Sequence, residues 1–184
     1  MRVIAGRHRG LTLASVGKGD QAAHLRPTTD RVRENLFNIL VKYGQPKGRV
    51  LDLFAGTGGL GIEALSRGAE SAVFVDNGRR ALDLLKHNIG LLRREGDAVV
   101  IAIDAASLPV NKGAACDLIL LDPPYGKNLG APALTRAREN GWIAEGAIIA
   151  WEDECAQEPP HGFDLLDHRT YGNSTLTFLE NSNR

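Results

Sequence analysis

The sequence predicts an α/β fold: a doubly wound, mostly parallel sheet with an antiparallel C-terminal hairpin and a short N-terminal β-hairpin extension. Three observations carry this. From Arg49 onward, short apolar runs alternate with segments of helical periodicity. Four successive apolar runs each close on an aspartate: Asp52, Asp76, Asp104 and Asp122. Near the end, Gly172-Asn173-Ser174 separates two strand-like runs, a hairpin signature. The 184 residues suit one domain, with residues 1–25 as a basic extension and 26–184 as a helix followed by the core.

Taken in order, Arg2 to Ile4 and Leu11 to Ala14 flank the turn-like Gly6-Arg7-His8-Arg9-Gly10, predicting a small hairpin. A polar loop, Ser15 to His24, follows. Arg26-Pro-Thr-Thr-Asp-Arg-Val-Arg-Glu-Asn-Leu-Phe then opens a helix, with Thr28 or Thr29 as cap and Asp30 and Glu34 near its positive end. Gly44 and Pro46 stop it. Strands are expected at Val50–Leu53, Ser71–Val75, Ala98–Ile103, Asp117–Leu121 and Ala147–Trp151. Helices are expected around Leu60–Ser66, over Arg79–Arg94 with Leu82, Leu85, Ile89 and Leu92 on one face, and over Ala131–Asn140. The hairpin spans Phe163–Tyr171 and Thr175–Leu179.

Composition excludes several classes. With 43% hydrophobic and 24% charged residues, the chain is neither disordered nor fibrous. The longest apolar run, Ala98–Ile103, falls well short of the ~20 residues that cross a bilayer. The opening residues lack the apolar core of a signal peptide. Cys116 and Cys155 lack CxxC spacing, and the five histidines lack metal spacing, so a reduced, cytoplasmic protein without a bound metal is expected. The balance of 22 basic and 22 acidic residues conceals a division. Residues 1–35 carry seven Arg/Lys against three acids, and the rest carry fifteen against nineteen. That basic beginning suits an RNA partner, with Arg7, Arg9, Arg26 and Arg33 as candidate phosphate contacts and His8 between two of them.

The four aspartates fall at the carboxyl edge of one sheet, where open α/β sheets bind ligands. Directly after Asp52 comes Leu53-Phe54-Ala55-Gly56-Thr57-Gly58-Gly59-Leu60-Gly61, leading into a helix. Its glycines permit a tight turn and close approach of a ligand. Dinucleotide folds use such a loop too, and Asp76, twenty residues past Gly56, suits a ribose diol in either case. Asp52 separates the two. A carboxylate at the loop mouth repels a pyrophosphate and suits a ligand with an ammonium or sulfonium charge, which points to S-adenosylmethionine.

The fourth aspartate opens Asp122-Pro123-Pro124-Tyr125. The prolines fix their own φ, extend the residue before them and offer no N–H, so the stretch presents mainly acceptors. The Asp122 carboxylate and Pro123 carbonyl could hold both hydrogens of an exocyclic base amine and stabilise the charge that grows as a methyl arrives. Tyr125 offers a ring face to a base drawn out of its helix. Magnesium at the four acids is a competing use that the rigid Pro-Pro backbone disfavours. Cys116 lies roughly 20 Å from the reactive edge at ~3.3 Å per residue, which disfavours a covalent cysteine mechanism. Trp142 and Trp151 read as packing residues, and Glu152-Asp153-Glu154 as a solvated loop.

Asp52-Leu-Phe-Ala-Gly-Thr-Gly and Asp122-Pro-Pro-Tyr resemble the cofactor loop and catalytic motif of Rossmann-like class I S-adenosylmethionine-dependent amino-methyltransferases. With Gly6-Arg-His-Arg-Gly and the Arg26-Pro-Thr segment, the chain from Arg2 to about Leu179 resembles the bacterial RsmD-type small-subunit ribosomal RNA guanine-N2 methyltransferases. The resemblance implies a guanine N2 within an assembling small ribosomal subunit as target; separately, a monomer is expected. It implies that Asp52 and the backbone of Ala55, Gly56, Thr57 and Gly58 hold the methionine portion. It assigns Asp76 to the ribose, Asn77 to a place along the adenosine, and Asp104 with Ala105 to the adenine edge. Gly78 stands where family members often carry a second acid. Three other readings stay open on the residues: the same chemistry on a DNA adenine or a protein amide, a nicotinamide-dependent oxidoreductase, and a non-catalytic RNA-binding assembly factor.

Overall fold

The computed structural model describes residues 1–15 and 29–182. Among them, α1 (Asp30–Leu40), β1 (Arg49–Leu53), α2 (Gly59–Arg67), β2 (Ser71–Asp76), α3 (Arg79–Leu92) and β3 (Ala98–Ala102) come first. Then follow β4 (Cys116–Leu121), α4 (Gly130–Glu139), β5 (Ile143–Asp153), β6 (Phe163–Tyr171) and β7 (Ser174–Asn181). The strands form one seven-stranded sheet in the order β3-β2-β1-β4-β5-β7-β6. β1 to β5 pair in parallel, and β7 runs antiparallel between β5 and β6. This is the expected doubly wound sheet with its C-terminal hairpin at one edge. Among the described residues no helix is long and apolar enough to cross a membrane.

Strand periodicity divides the core into two layers. Val50, Phe74, Leu118, Leu120, Ala150 and Phe178 face α1, α2, α3 and the N-terminal segment. Leu51, Val75, Ile119, Leu121, Ile149 and Trp151 face α4 and Trp142. Helix α1 starts where its chemistry directs: the Thr29 hydroxyl accepts from the Val32 N–H at 3.3 Å, and Asp30 occupies the positive first turn. A short 3-10 turn, Val41–Tyr43, continues it until Gly44 takes a left-handed conformation (φ 71°).

Some elements depart from the sequence reading. The N-terminal hairpin reduces to one antiparallel bridge, Arg2 with Thr12. Backbone bonds still cross between its arms (Val3 N–H to Leu11, Gly10 N–H to Val3, Leu13 N–H to Met1), Val3 and Leu13 are buried, and Arg7 adds a bond to α2. α3 ends at Leu92, because Arg93 turns left-handed (φ 53°). β5 begins at Ile143 and runs on through Glu152 and Asp153, so those two residues are strand, not loop.

Candidate active site

The strand order reverses at β1: β2 and β3 lie on one side of it, β4 and β5 on the other. Such a switch point opens a crevice at the carboxyl edge. Leu53 pairs with Leu121, so the glycine loop leaving β1 and the Asp122-Pro-Pro-Tyr segment leaving β4 start side by side. The loop turns tightly, with positive φ at Phe54, Gly56 and Gly58. Gly58 caps α2 in a left-handed conformation (φ 87°), and a Cβ there would collide with Leu85 and Ile62, so only glycine lets the loop lie on α3. The Ala55 N–H donates to the Val75 carbonyl (3.0 Å), Asn88 donates to the Thr57 carbonyl (2.9 Å), and both fix the loop to its neighbours.

Asp52, Asp76 and Asp104 each accept from nearby backbone N–H groups. Asp52, 1% exposed inside β1, accepts the Gly61 N–H at 2.8 Å. Burial pushes its carboxyl up to about 7, the Gly61 bond pulls it back, and the Asp76 charge pushes it further up. Asp76 accepts the Gly56 N–H through one oxygen (2.8 Å) and the Gly78 N–H through the other (2.7 Å), tying the loop to the start of α3. Asp104 caps a 3-10 turn by accepting from the Ala106 N–H (2.8 Å), and Asn77 lies 3.4 Å from its other oxygen. Ala105, beside it, is buried. The structure thus gathers Asp52, Ala55, Gly56, Thr57, Gly58, Asp76, Asn77, Asp104 and Ala105 along the ends of β1, β2 and β3.

This donor set fits a cationic ligand. The other charge acting on buried Asp52 is a second carboxylate, so a pyrophosphate would add to the repulsion and an ammonium would relieve it. S-adenosylmethionine, which carries an ammonium and a sulfonium charge, meets that requirement. Among the described residues no group of His, Cys, Asp and Glu is arranged to hold a metal ion. Cys116 is buried at the opposite end of β4, where burial pushes its thiol up.

On the β4 side, Pro123 is buried while Asp122, Pro124 and Tyr125 are partly exposed. Tyr125 does more than present a ring. Its hydroxyl donates to Glu152 Oε1 (3.0 Å) and lies 2.8 Å from the Ser174 hydroxyl. Burial pushes the phenol pKa well up, so it stays a donor. Glu152, expected in a solvated loop, is instead 2% exposed in β5. Sequence reasoning missed both Glu152 and Ser174, which lie 27 and 49 positions from Tyr125 and share no local pattern with it.

The basic N-terminal turn rests on the C-terminal end of α2. The Arg7 N–H donates to the Ser66 carbonyl (2.7 Å), the His8 N–H to the Ser66 hydroxyl (2.9 Å), and that hydroxyl to the Ala5 carbonyl (2.6 Å). Arg7 and Arg9 stay exposed. His8 is partly covered, and burial with the Arg7 and Arg94 charges lowers its pKa, leaving it neutral at pH 7. Arg33 requires a correction. It is 1% exposed and cannot reach a phosphate: its guanidinium bonds Asp30 (2.9 Å) and lies 3.9 Å from buried Glu63. Glu63 in turn accepts the Ile4 and Ala5 N–H groups and the Arg67 Nε–H (2.7 Å), so Arg33 and Arg67 together neutralise the clamp that holds the extension. Arg26 lies outside the described residues.

A sequence-family model described as "Conserved hypothetical protein 95" matches residues 1–180. Ribosomal RNA small subunit methyltransferase D of Escherichia coli is 38% identical over 160 residues, covering 87% of this chain and 78% of that protein. The protein of the same name from Haemophilus influenzae is 34% identical, covering 98% of this chain and 94% of its own. Among solved structures, the Escherichia coli protein described as "Putative methyltransferase yhhF" superposes with a TM-score of 0.84 at 31% identity, covering 100% of this chain and 99% of that one.

Proposed function

This chain belongs to the RsmD family, that of the ribosomal RNA small subunit methyltransferases D, and from that premise we propose that it transfers a methyl group from S-adenosylmethionine to the N2 amine of a guanine in small-subunit ribosomal RNA. The observation that carries the reading is the switch-point crevice, where the glycine loop and Asp122-Pro-Pro-Tyr leave adjacent strands at one level. A ligand cradled by the first and an amine held by the second meet there.

S-adenosylmethionine supplies an activated methyl group on a positively charged sulfur. The chain's own contribution is orientation and charge. The Asp122 carboxylate and the Pro123 carbonyl accept hydrogen bonds from the two amine hydrogens, turn the lone pair toward the donor, and stabilise the positive charge that develops on nitrogen. As the N–C bond forms the S–C bond breaks to leave a neutral thioether, and the surplus proton passes from nitrogen by way of the Asp122 carboxylate to water. The fixed φ of the two prolines keeps these acceptors from relaxing as the charge grows. Tyr125, its hydroxyl tied back to Glu152, presents its ring to the base. Arg7 and Arg9 are the phosphate contacts of this reading, one short turn away from the core.

The test is transfer of tritiated methyl from S-adenosylmethionine to undermodified small subunits, naked ribosomal RNA and duplex DNA, followed by nucleoside analysis. N2-methylguanosine from the RNA substrates, with none of the label on DNA, is the expected result. Label on DNA adenine, or no transfer to any of the three, refutes it.

A further inference from the structure

Glu152 has a feature that the methyl transfer described above does not use. Its Oε1 is held by Tyr125, but its Oε2 is buried with no hydrogen-bond partner among the described residues. A buried carboxylate oxygen left unsatisfied is costly, and such a group calls for a donor from water, an ion or a ligand. Its place in the sheet is equally specific. Leu121 pairs with Trp151, so Glu152 stands in register beside Asp122 at the end of the neighbouring strand, ~4.8 Å away along the ladder. Leu120 and Ala150, two positions earlier on each strand, share one core layer, so Asp122 and Glu152 project to that same face.

We propose that Glu152 is the base-reading residue of this site: its Oε2 accepts the N1–H of the target guanine, while Tyr125 and Ser174 fix the carboxylate through Oε1. The inference rests on the amino-methyltransferase reading above and supplies its base specificity. Guanine presents N1–H and N2–H as adjacent donors on its Watson–Crick edge. Adenine presents a lone pair at N1 beside its amine. Two acceptor groups on adjacent strands, Asp122 with Pro123 for the amine and Glu152 for N1–H, match the guanine edge and oppose the adenine edge. Preorganisation is visible in the side-chain chain itself. With Tyr125 donating to Glu152, the Ser174 hydroxyl is left to donate to the Tyr125 oxygen, so one carboxylate oxygen is occupied and the other, buried, is left without a donor.

The experiment compares guanine with 2-aminopurine at the methylated position of reconstituted small subunits. 2-Aminopurine keeps the amine and replaces N1–H by a lone pair. The wild-type protein should prefer guanine by ~10²-fold or more in kcat/KM, as sites built around a hydrogen bond do. Glu152→Gln, whose amide can donate to that lone pair, should bring the ratio to within about threefold, with S-adenosylmethionine binding by calorimetry unchanged. A variant that loses activity on both bases equally and keeps the wild-type ratio overturns the proposal, because that is what a merely structural role produces. If Glu152→Gln does not fold, Tyr125→Phe decides in the same assay. Freed from its donor, the carboxylate reads N1 less strictly and the ratio narrows; an unchanged ratio overturns the proposal. Nucleoside analysis of the wild-type product comes first and separates the two levels. A product other than N2-methylguanosine removes the underlying reading and this one with it, whereas N2-methylguanosine with an unaltered ratio removes only the role of Glu152.

Discussion

The two halves of the crevice hold their acids differently. On the β1–β3 half, Asp52, Asp76 and Asp104 each accept from backbone N–H groups of the loop, 3-10 turn or first helical turn that follows their own strand or its neighbour. On the β4–β5 half, Tyr125, Glu152 and Ser174 hold one another through side chains drawn from three separate parts of the chain. The first half is a rigid cradle shaped by backbone, suited to one small molecule. The second is a side-chain network with an oxygen unfilled, suited to telling one base from another. Binding and selection are thus separable, and substitutions should separate them.

The largest effect is expected at Asp122. Asp122→Ala should lower turnover by ~10²–10³-fold, comparable to removing an oxyanion-stabilising group, while calorimetric binding of S-adenosylmethionine stays intact. Loss of binding together with turnover would erase the division between the halves. Next comes Asp52, whose carboxyl sits near pH 7 in the free protein. A cationic ligand binds its ionised form, so affinity should fall by up to about tenfold per pH unit below 7 and level off above it, with proton release on binding at pH 6. Asp52→Asn should flatten the profile; parallel profiles for both proteins would remove Asp52 from the binding step. The same shift acts on stability. The folded carboxyl titrates near 7 and the unfolded one near 3.8, so the native state binds the extra proton between those values and stability falls as pH rises through that window.

A packing change reaches the cradle from behind. A Cβ at Gly61 would press on Phe74 and on the Asp52 carboxylate, so Gly61→Ala should cost roughly 1–3 kcal/mol in urea unfolding and weaken cofactor binding, yet leave the base preference of the residual activity unchanged. An altered preference would mean that the halves are mechanically coupled. The smallest effect belongs to the basic turn. Arg7→Ala with Arg9→Ala should lower RNA affinity and flatten the salt slope by about 1.4, or ~0.7 for each phosphate no longer neutralised, with kcat at saturating RNA retained. An unchanged slope would return the turn to a merely solvated surface.

The same contrast explains what the sequence disclosed. The aspartates of the β1–β3 half lie at or just past the ends of their strands, and their partners are near in sequence or one βα unit away, so spacing alone located them. Asp122-Pro-Pro-Tyr was legible because its chemistry is contiguous. Glu152 was not: in an acidic triplet it looks like surface, and only the pairing of β5 between β4 and β7 buries it. Arg33 failed in the opposite direction. In a basic stretch it looks like a phosphate contact, but its helix turns it inward onto Glu63, thirty positions away. Asn88 and Ser66, which anchor the extension to α3 and α2, likewise carry no local signal; their partners lie 74 and 58 positions distant. Where a charged residue's partner is remote, composition predicts its exposure poorly.

Helix α2 touches both ends of this arrangement. Gly58 at its start belongs to the glycine loop, and Ser66 near its end holds Arg7 and His8 by backbone and hydroxyl bonds. Gly6 meets the Ser66 carbonyl so closely that no side chain could stand between them. Nine residues at ~1.5 Å each set the two ends ~14 Å apart along a helix that cannot stretch. α2 is therefore a ruler. With the RNA gripped at Arg7 and Arg9 as proposed, that offset sets which base meets the crevice, and lengthening α2 by one turn would move the grip ~5.4 Å from it.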